Sequence, residues 1–86
     1  MTYDAVYALN VLAEDAQHPV SRTAAKHMLE LALELELSGA SLSVVRSVVA
    51  AHPLTRIALK LRTDAPAKKV HDRLRRLTRR RERSTP

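Results

Sequence analysis

The sequence predicts an all-α protein, a compact single domain of about five helices that ends in a basic helix. Ala, Leu, Glu, Arg and Lys dominate the chain, and all five residue types favour helix. One glycine and four prolines leave few turn residues for β-hairpins. The apolar fraction of 45% is enough for a core, although the chain has neither Phe nor Trp. A length of 86 residues fits one small domain.

The first helix is predicted over residues 3–16, where apolar side chains recur at helical spacing. Thr2 would be its N-cap, and Asp4 would lie in the first turn, where the helix dipole favours a negative charge. Pro19 is expected to break this helix.

The second helix is predicted over residues 22–38, with Ser21 as its cap and Gly39 as its stop. Within it, LELALELEL at residues 29–37 alternates apolar and polar positions, as a strand does. Leu, Glu and Ala nevertheless favour helix over strand, so helix is preferred and strand stays the alternative. Leucines on two sides of the wheel predict a central helix, packed between neighbours.

Two short helices should follow. Ser41 would cap a helix over residues 42–51, although its four valines leave a strand as the minority interpretation. Pro53 stops that element and suits the first turn of the next, over residues 54–62. In that helix Leu54, Ile57, Ala58 and Leu61 are expected to face inward, and Arg56 and Lys60 outward.

The last helix is predicted from about residue 65 to 81, with Asp64 as its cap and Pro66 in its first turn. A narrow apolar stripe would pack this helix against the rest of the domain, and the stripe ends at Leu77. We therefore divide the chain into a helical domain, residues 1–78, and a basic, frayed tail, residues 79–86. The stripe consists of Ala67, Val70, Leu74 and Leu77.

Charge is concentrated in this helix. Residues 1–40 carry six acidic and two basic side chains, whereas residues 41–86 carry three acidic and thirteen basic ones. On a helical wheel, five cations share one face and three form a shorter second row. The first row is Lys69, Arg73, Arg76, Arg80 and Arg83, and the second is Lys68, Arg75 and Arg79.

Such rows predict a polyanionic partner. Neighbouring cations on a helix repel each other, and phosphates would remove that repulsion and release counterions. Arginine outnumbers lysine, and its planar fork suits phosphate and guanine. No aromatic residue is interleaved, which disfavours stacking on single strands. Duplex DNA is therefore favoured over structured RNA. A merely solvated face, or pairing with an acidic protein surface, remains the alternative.

Residues 31–50, LALELELSGASLSVVRSVVA, resemble the helix-turn-helix motif. Gly39 would hold the turn, and Val45 and Val48 would be buried in the second helix. The resemblance implies sequence readout in the major groove by a homodimer on a two-fold site. The implied base-reading side chains are Ser43, Arg46 and Ser47, with Arg46 on guanine.

Five positions depart from this motif. It calls for a small residue where Leu35 stands and an apolar one where Ser38 stands. Leu42, Val44 and Val49 are more apolar than exposed positions of a DNA-facing helix should be. A short core helix after a glycine stop is therefore the competing interpretation of residues 42–51. In that case the basic last helix would carry the nucleic-acid contacts alone.

Several kinds of chemistry are not expected. The chain has no cysteine, no Gly-rich phosphate loop and no spacing of its four histidines that suits a metal. Glu30 and Glu34 share a helix face, but we interpret them as solvated rather than catalytic. We predict no enzyme, no cofactor and no metal site. No run of eighteen apolar residues predicts a membrane span, and MTYDAVYALN lacks the basic start of a secretory signal, so cytoplasm is expected.

The sequence thus predicts a small nucleic-acid-binding protein, a transcription regulator or another DNA-associated factor. The alternative is a helical protein-interaction factor that inhibits or recruits a protein partner, as an anti-defence or host-directed phage protein would. A third hypothesis is association with structured RNA or the ribosome. Exposure of Leu31, Leu35 and Val44 would favour the protein partner. An acidic patch of Asp15, Glu30, Glu34 and Glu36 would be part of that surface.

Overall fold

The computed structural model describes residues 3–84, with the side chains of residues 3–79. This part of the chain is all-α and contains no strand, which confirms the predicted fold class. None of its helices is long and apolar enough to cross a membrane. The five helices are α1 (Ala5–Asp15), α2 (Pro19–Leu37), α3 (Leu42–Ala51), α4 (Pro53–Ala58) and α5 (Ala67–Ser84).

Asp4 is the N-cap of α1. Its carboxylate accepts hydrogen bonds from the backbone N–H groups of Val6, at 2.9 Å, and Tyr7, at 3.3 Å. The predicted cap, Thr2, lies outside the described residues. Because Asp4 holds the cap position, the helix begins two residues later than predicted. Tyr3 precedes the cap and is buried in the core.

α2 begins three residues earlier than predicted. Pro19 occupies its first turn, where a missing N–H costs nothing, so the proline opens α2 and does not end α1. His18 is the cap, and its Nδ1 accepts a hydrogen bond from the N–H of Val20 at 3.2 Å. The predicted cap, Ser21, lies inside the helix and is buried.

The end of α2 follows the prediction. Gly39 has a φ of +89°, the left-handed conformation that glycine adopts most easily. Its N–H donates to the carbonyl of Glu36, and the N–H of Ala40 donates to that of Leu35, both at 3.0 Å. This pair of bonds is a Schellman motif, which turns the chain into α3.

α2 occupies the centre of the fold, as predicted, and packs against α1, α3 and α4. Its buried face consists mainly of small residues, so the neighbouring helices can approach closely. The two leucines near its end are exposed: 41% of Leu33 and 89% of Leu37 are accessible to solvent. The buried residues of α2 are Ser21, Ala24, Ala25, Met28 and Ala32.

Ser41 caps α3 and Pro53 opens α4, both as predicted. The prediction that Arg56 faces outward is wrong, because only 8% of this residue is exposed. Its Nη1 donates to the carbonyls of Ala50 at 2.8 Å and His52 at 3.4 Å, and its Nε donates to that of Ala65 at 2.9 Å. The guanidinium therefore ties the end of α3 to the segment before α5.

The inward-facing set of α4 also differs from the prediction, since Ile57 is 36% exposed. α4 ends in a second Schellman motif: the N–H of Leu61 donates to the carbonyl of Arg56, and that of Lys60 to Ile57. Here the left-handed residue is Lys60, with a φ of +59°. A lysine thus takes a conformation that favours glycine.

α5 begins at Ala67, and the carbonyl of Pro66 accepts the N–H groups of Lys69 and Val70. The prediction that Asp64 caps this helix is wrong, since its carboxylate instead pairs with Arg62 at 3.3 Å. Of the predicted stripe, Val70 and Leu74 are fully buried, Leu77 is half-buried and Ala67 is exposed. α5 packs against α1 and α3 through this stripe, so it belongs to the core.

Candidate nucleic-acid interface

The cations of the first predicted row differ in exposure. Lys69 and Arg76 are exposed on α5, whereas Arg73 is half-buried. Arg80 and Arg83 belong to the helix, but their side chains lie outside the described residues. Two of the five predicted positions therefore present a described and exposed cation.

Arg73 faces the neighbouring helices. Its Nη2 donates to the carbonyl of Leu59, the C-cap of α4, at 3.4 Å. It lines a groove of about 740 Å³ together with Glu14, Asp15 and Lys60, among other residues. Acidic and basic groups share this groove, and the bond to the Leu59 carbonyl means that part of the Arg73 guanidinium stabilises the fold.

The second row differs in exposure along α5. Lys68 and Arg79 are exposed, and Arg75 is half-buried. The Nη1 of Arg75 donates to Oδ1 of Asp72 at 2.9 Å, one helical turn away. That ion pair fixes the guanidinium against the helix surface and leaves an acidic group beside it.

Arg46 approaches this flank from α3. It is half-buried, and its Nε donates to the carbonyl of Leu42 at 3.4 Å. Because α3 packs against α5, the charge of Arg46 acts on two groups at the junction, Tyr3 and His71. The charges of Arg46 and Arg75 thus act on the same two groups, although 29 positions separate the two arginines in sequence.

Tyr3 and His71 meet at this junction. The Tyr3 hydroxyl is hydrogen-bonded to Nδ1 of His71, and the ring centroids are 5.5 Å apart. Burial raises the pKa of Tyr3 to about 12, against the opposing influence of the Arg46 and Arg75 charges. Burial lowers the pKa of His71, and Arg75 and Arg46 lower it further, whereas Asp72 acts in the opposite direction. At the junction, burial and two arginine charges thus disfavour the protonated form of the His71 imidazole.

Sequence reasoning missed both aromatic members of this junction. Tyr3 was placed inside the first helix, and nothing local shows that a residue before the cap turns into the core. His71 carried a usable signal, since it lies four residues before Arg75 and so shares its flank of α5. The partner across the fold could not be read from that spacing.

By their spacing the predicted readout residues of α3 share one face of the helix, but they differ in exposure. Ser43 and Ser47 are exposed, whereas Arg46 is half-buried beside α5. Val45 is fully buried, and Val48 only partly. Any contact made by Arg46 would therefore be shared with the α5 cations and not made by α3 alone.

Within residues 3–79, no group of three His, Asp or Glu side chains converges as a metal site requires. His18 and His52 each cap a helix through Nδ1, and His71 contacts Tyr3. Comparisons of the chain with protein-family models, curated proteins and solved structures gave no match. Function must therefore be argued from these side chains.

Proposed function

We propose that this protein binds double-stranded nucleic acid, with duplex DNA as the favoured form, through the solvent-facing surface of α5. The observation that carries the proposal is a set of four exposed cations on one helix. None of them forms an ion pair with a carboxylate of residues 3–79. The four are Lys68, Lys69, Arg76 and Arg79.

The energetics support a phosphate partner. Between Lys68 and Arg79 the helix rises by roughly 16 Å, at 1.5 Å per residue. Four charges over that length repel one another in the free protein, and phosphates relieve this repulsion. Releasing the counterions of those phosphates supplies a sequence-independent contribution to affinity.

The basic surface is held in place before any ligand arrives. Val70 and Leu74 are fully buried against α1 and α3, so the orientation of α5 is set by the core. A preformed surface avoids the entropy cost of ordering a flexible basic segment on binding. It also means that α5 cannot be deleted as a test, since its removal would open the core.

The test is fluorescence anisotropy on the full chain with duplex DNA, a structured RNA and single-stranded DNA, each over a range of salt. A variant with Lys68, Lys69, Arg76 and Arg79 all replaced by Gln should lose affinity for duplex, and its slope of log K against log salt should flatten by about 3–4. The control is Lys26→Gln with Arg62→Gln, both exposed and outside α5.

Three results would count against the proposal: no binding at low salt, equal loss in the control, or clear preference for single strands. Preference for structured RNA would move the assignment to RNA or the ribosome. A role in transcription requires in addition that binding depend on sequence. Selection from a random duplex pool, repeated with Arg46→Gln, would show whether Arg46 contributes to base readout.

A protein partner is the second candidate, favoured by exposed apolar side chains on either side of the α2–α3 turn. Leu33 and Leu37 lie at the end of α2, and Leu42 and Val44 at the start of α3, with exposed fractions between 41% and 89%. Leu31 and Leu35, by contrast, are half-buried against the core. Of the three residues predicted to discriminate between the hypotheses, Val44 is thus the only exposed one.

The acidic patch predicted for that partner lies in two separate places. Glu30, Glu34 and Glu36 are exposed at the end of α2, whereas Asp15 ends α1, next to the start of α2. Roughly 20 Å of helix separates the two places. Sedimentation analysis over a range of protein concentration, with Leu33→Ser and Leu37→Ser as variants, would test self-association through this region. Concentration-dependent mass that both variants abolish would show that a second copy of the chain covers these side chains and would count against the second candidate.

A further inference from the structure

His71 is surrounded by charged and titratable groups from every element packed around it. Tyr3 approaches from the segment before α1, Arg46 from α3, and Asp72 and Arg75 from α5 itself. The charges of two arginines and one carboxylate thus act on a half-buried imidazole. The hydrogen bond to Tyr3 uses Nδ1 of this ring, and no contact described above uses Nε2.

We infer that Arg46, His71 and Arg75 form a phosphate-binding subsite at the α3–α5 junction, and that His71 takes up a proton from solvent when a backbone phosphodiester binds there. This inference rests on the proposed function, because it names the point on the protein at which a duplex phosphate is held. It assigns the second row of α5, together with α3, as the central contact and the first row as the periphery.

The hydrogen bond to Tyr3 sets which nitrogen of the ring can serve a ligand. In neutral His71, Nδ1 accepts the proton of the Tyr3 hydroxyl, so the ring hydrogen resides on Nε2. That N–H is a donor on the far side of the ring from Tyr3. A phosphate oxygen is the acceptor that such a donor suits, particularly between two guanidinium groups.

Charge explains why the proton is taken up only with the ligand. In the free protein, burial and the charges of Arg75 and Arg46 act against a third cation. A bound phosphate reverses the sign of the local potential and favours the imidazolium. In the protonated ring, Nδ1–H donates to the Tyr3 oxygen, so the contact between the two residues is kept.

Asp72 limits the strength of the subsite. Its carboxylate accepts from Nη1 of Arg75 and thereby competes with a phosphate for that guanidinium. Replacing Asp72 with Asn removes the competing charge and keeps an acceptor in the same place. We expect Asp72→Asn to bind duplex several-fold more tightly, with the gain largest at low salt.

The experiment is an NMR pH titration of the full chain with carbon-13-labelled histidines, free, with random-sequence duplex DNA, and with inorganic phosphate. The duplex should raise the pKa of His71. Each unit of that rise makes binding tenfold tighter in acid than in alkali. His71→Gln should abolish the pH dependence of duplex affinity, and Arg46→Gln should reduce the rise. Arg62→Gln, an exposed arginine outside the junction, is the charge-matched control.

The outcomes separate this inference from the proposed function. If duplex binds and the pKa of His71 stays where it was, the subsite is wrong and binding by α5 stands. If duplex fails to bind, both are wrong. If only inorganic phosphate raises the pKa, the site takes free phosphate and the assignment to a phosphodiester is overturned. Circular dichroism of each variant shows that the fold is kept.

Discussion

Tyr3 and His71 are hydrogen-bonded although 68 positions separate them in the chain. The contact closes the fold: it joins the segment ahead of α1 to the helix that carries most of the positive charge. Tyr3 is 4% exposed, so this polar pair forms at the edge of the core and not on the open surface. As a result, the contact helps to fix the orientation of α5 relative to the start of α1.

This pair predicts a loss of stability in mild acid. The pKa of His71 is lowered in the folded protein, so below about pH 6.5 the unfolded chain binds a proton that the folded chain does not. The free energy of unfolding should therefore fall as the pH drops through that value. Urea denaturation of the wild type and His71→Gln at several pH values checks it. The variant should show a shallower decline, and equal declines would contradict the assignment.

At the alkaline end, Tyr3 predicts the opposite dependence. Its pKa of about 12 lies above the ordinary value of 10.0, so an unfolded chain loses the proton first as the pH rises. The contribution of Tyr3 is complete below pH 10.0 and is lost as the pH approaches 12, by about 2–3 kcal/mol in total. Denaturation above pH 10.0 should show this loss in the wild type and not in Tyr3→Phe. A Tyr3→Phe profile that falls as steeply would show that another group is responsible.

Arg56 should be essential to stability. Its guanidinium donates to carbonyls of Ala50, His52 and Ala65, and no shorter or unbranched side chain reaches all three. We expect Arg56→Lys and Arg56→Met each to cost about 2–4 kcal/mol, since the buried carbonyls lose their donors. Denaturant unfolding measures the cost. Arg62→Lys, on an exposed arginine, is the control and should change stability by about 0.5 kcal/mol or less. Equal effects at the two sites would contradict the structural role of Arg56.

Substitutions at Gly39 and Lys60, which both have a left-handed backbone conformation, should change stability in opposite directions. Gly39 has open space around the position of a Cβ, so Gly39→Ala meets only the conformational penalty and should cost about 1 kcal/mol. Lys60 already bears that penalty at a φ of +59°. Lys60→Gly relieves it and loses some chain entropy, so a net gain of about 0.5–1 kcal/mol is expected. Thermal unfolding of both variants checks the pair, and two changes of the same sign would contradict it.

The helices were predictable because their signals are local. Ser41, Gly39 and Pro53 act on backbone groups within a few residues, so caps and stops could be read from the chain. His18 and Asp4 were overlooked as caps for a different reason: a competing residue, Ser21 or Thr2, stood nearby with an equally suitable side chain. Choosing between two such caps depends on where the preceding chain packs.

The positions that could not be predicted depend on contacts between distant elements. α4 has only six residues, too few for periodicity to show which side is buried. Arg56 lies inward because carbonyls from α3 and from the segment before α5 surround it. The candidate interface follows the same rule: the wheel identified the cations of α5, but only packing of α3 on α5 brings Arg46 to them. At these positions, contacts between distant elements determine where the side chain lies, and the local sequence pattern does not.

Thr55 offers a test of packing against polarity inside this core. Thr55 is fully buried, and its Oγ1 has no hydrogen-bond partner among the described residues. An unpartnered buried hydroxyl costs free energy that an apolar group of the same shape does not. Thr55→Val should therefore stabilise the protein by up to about 1 kcal/mol. Thr55→Ser keeps the hydroxyl and loses a methyl group, so it should destabilise by about 1 kcal/mol.

Chemical denaturation of both Thr55 variants measures the difference, with Thr63→Val as the exposed control. The control should lie within about 0.5 kcal/mol of the wild type. A loss of stability in Thr55→Val would mean that the hydroxyl does have a partner in solution. In that case a buried water beside α4 would be the group to look for, since such waters satisfy isolated polar atoms.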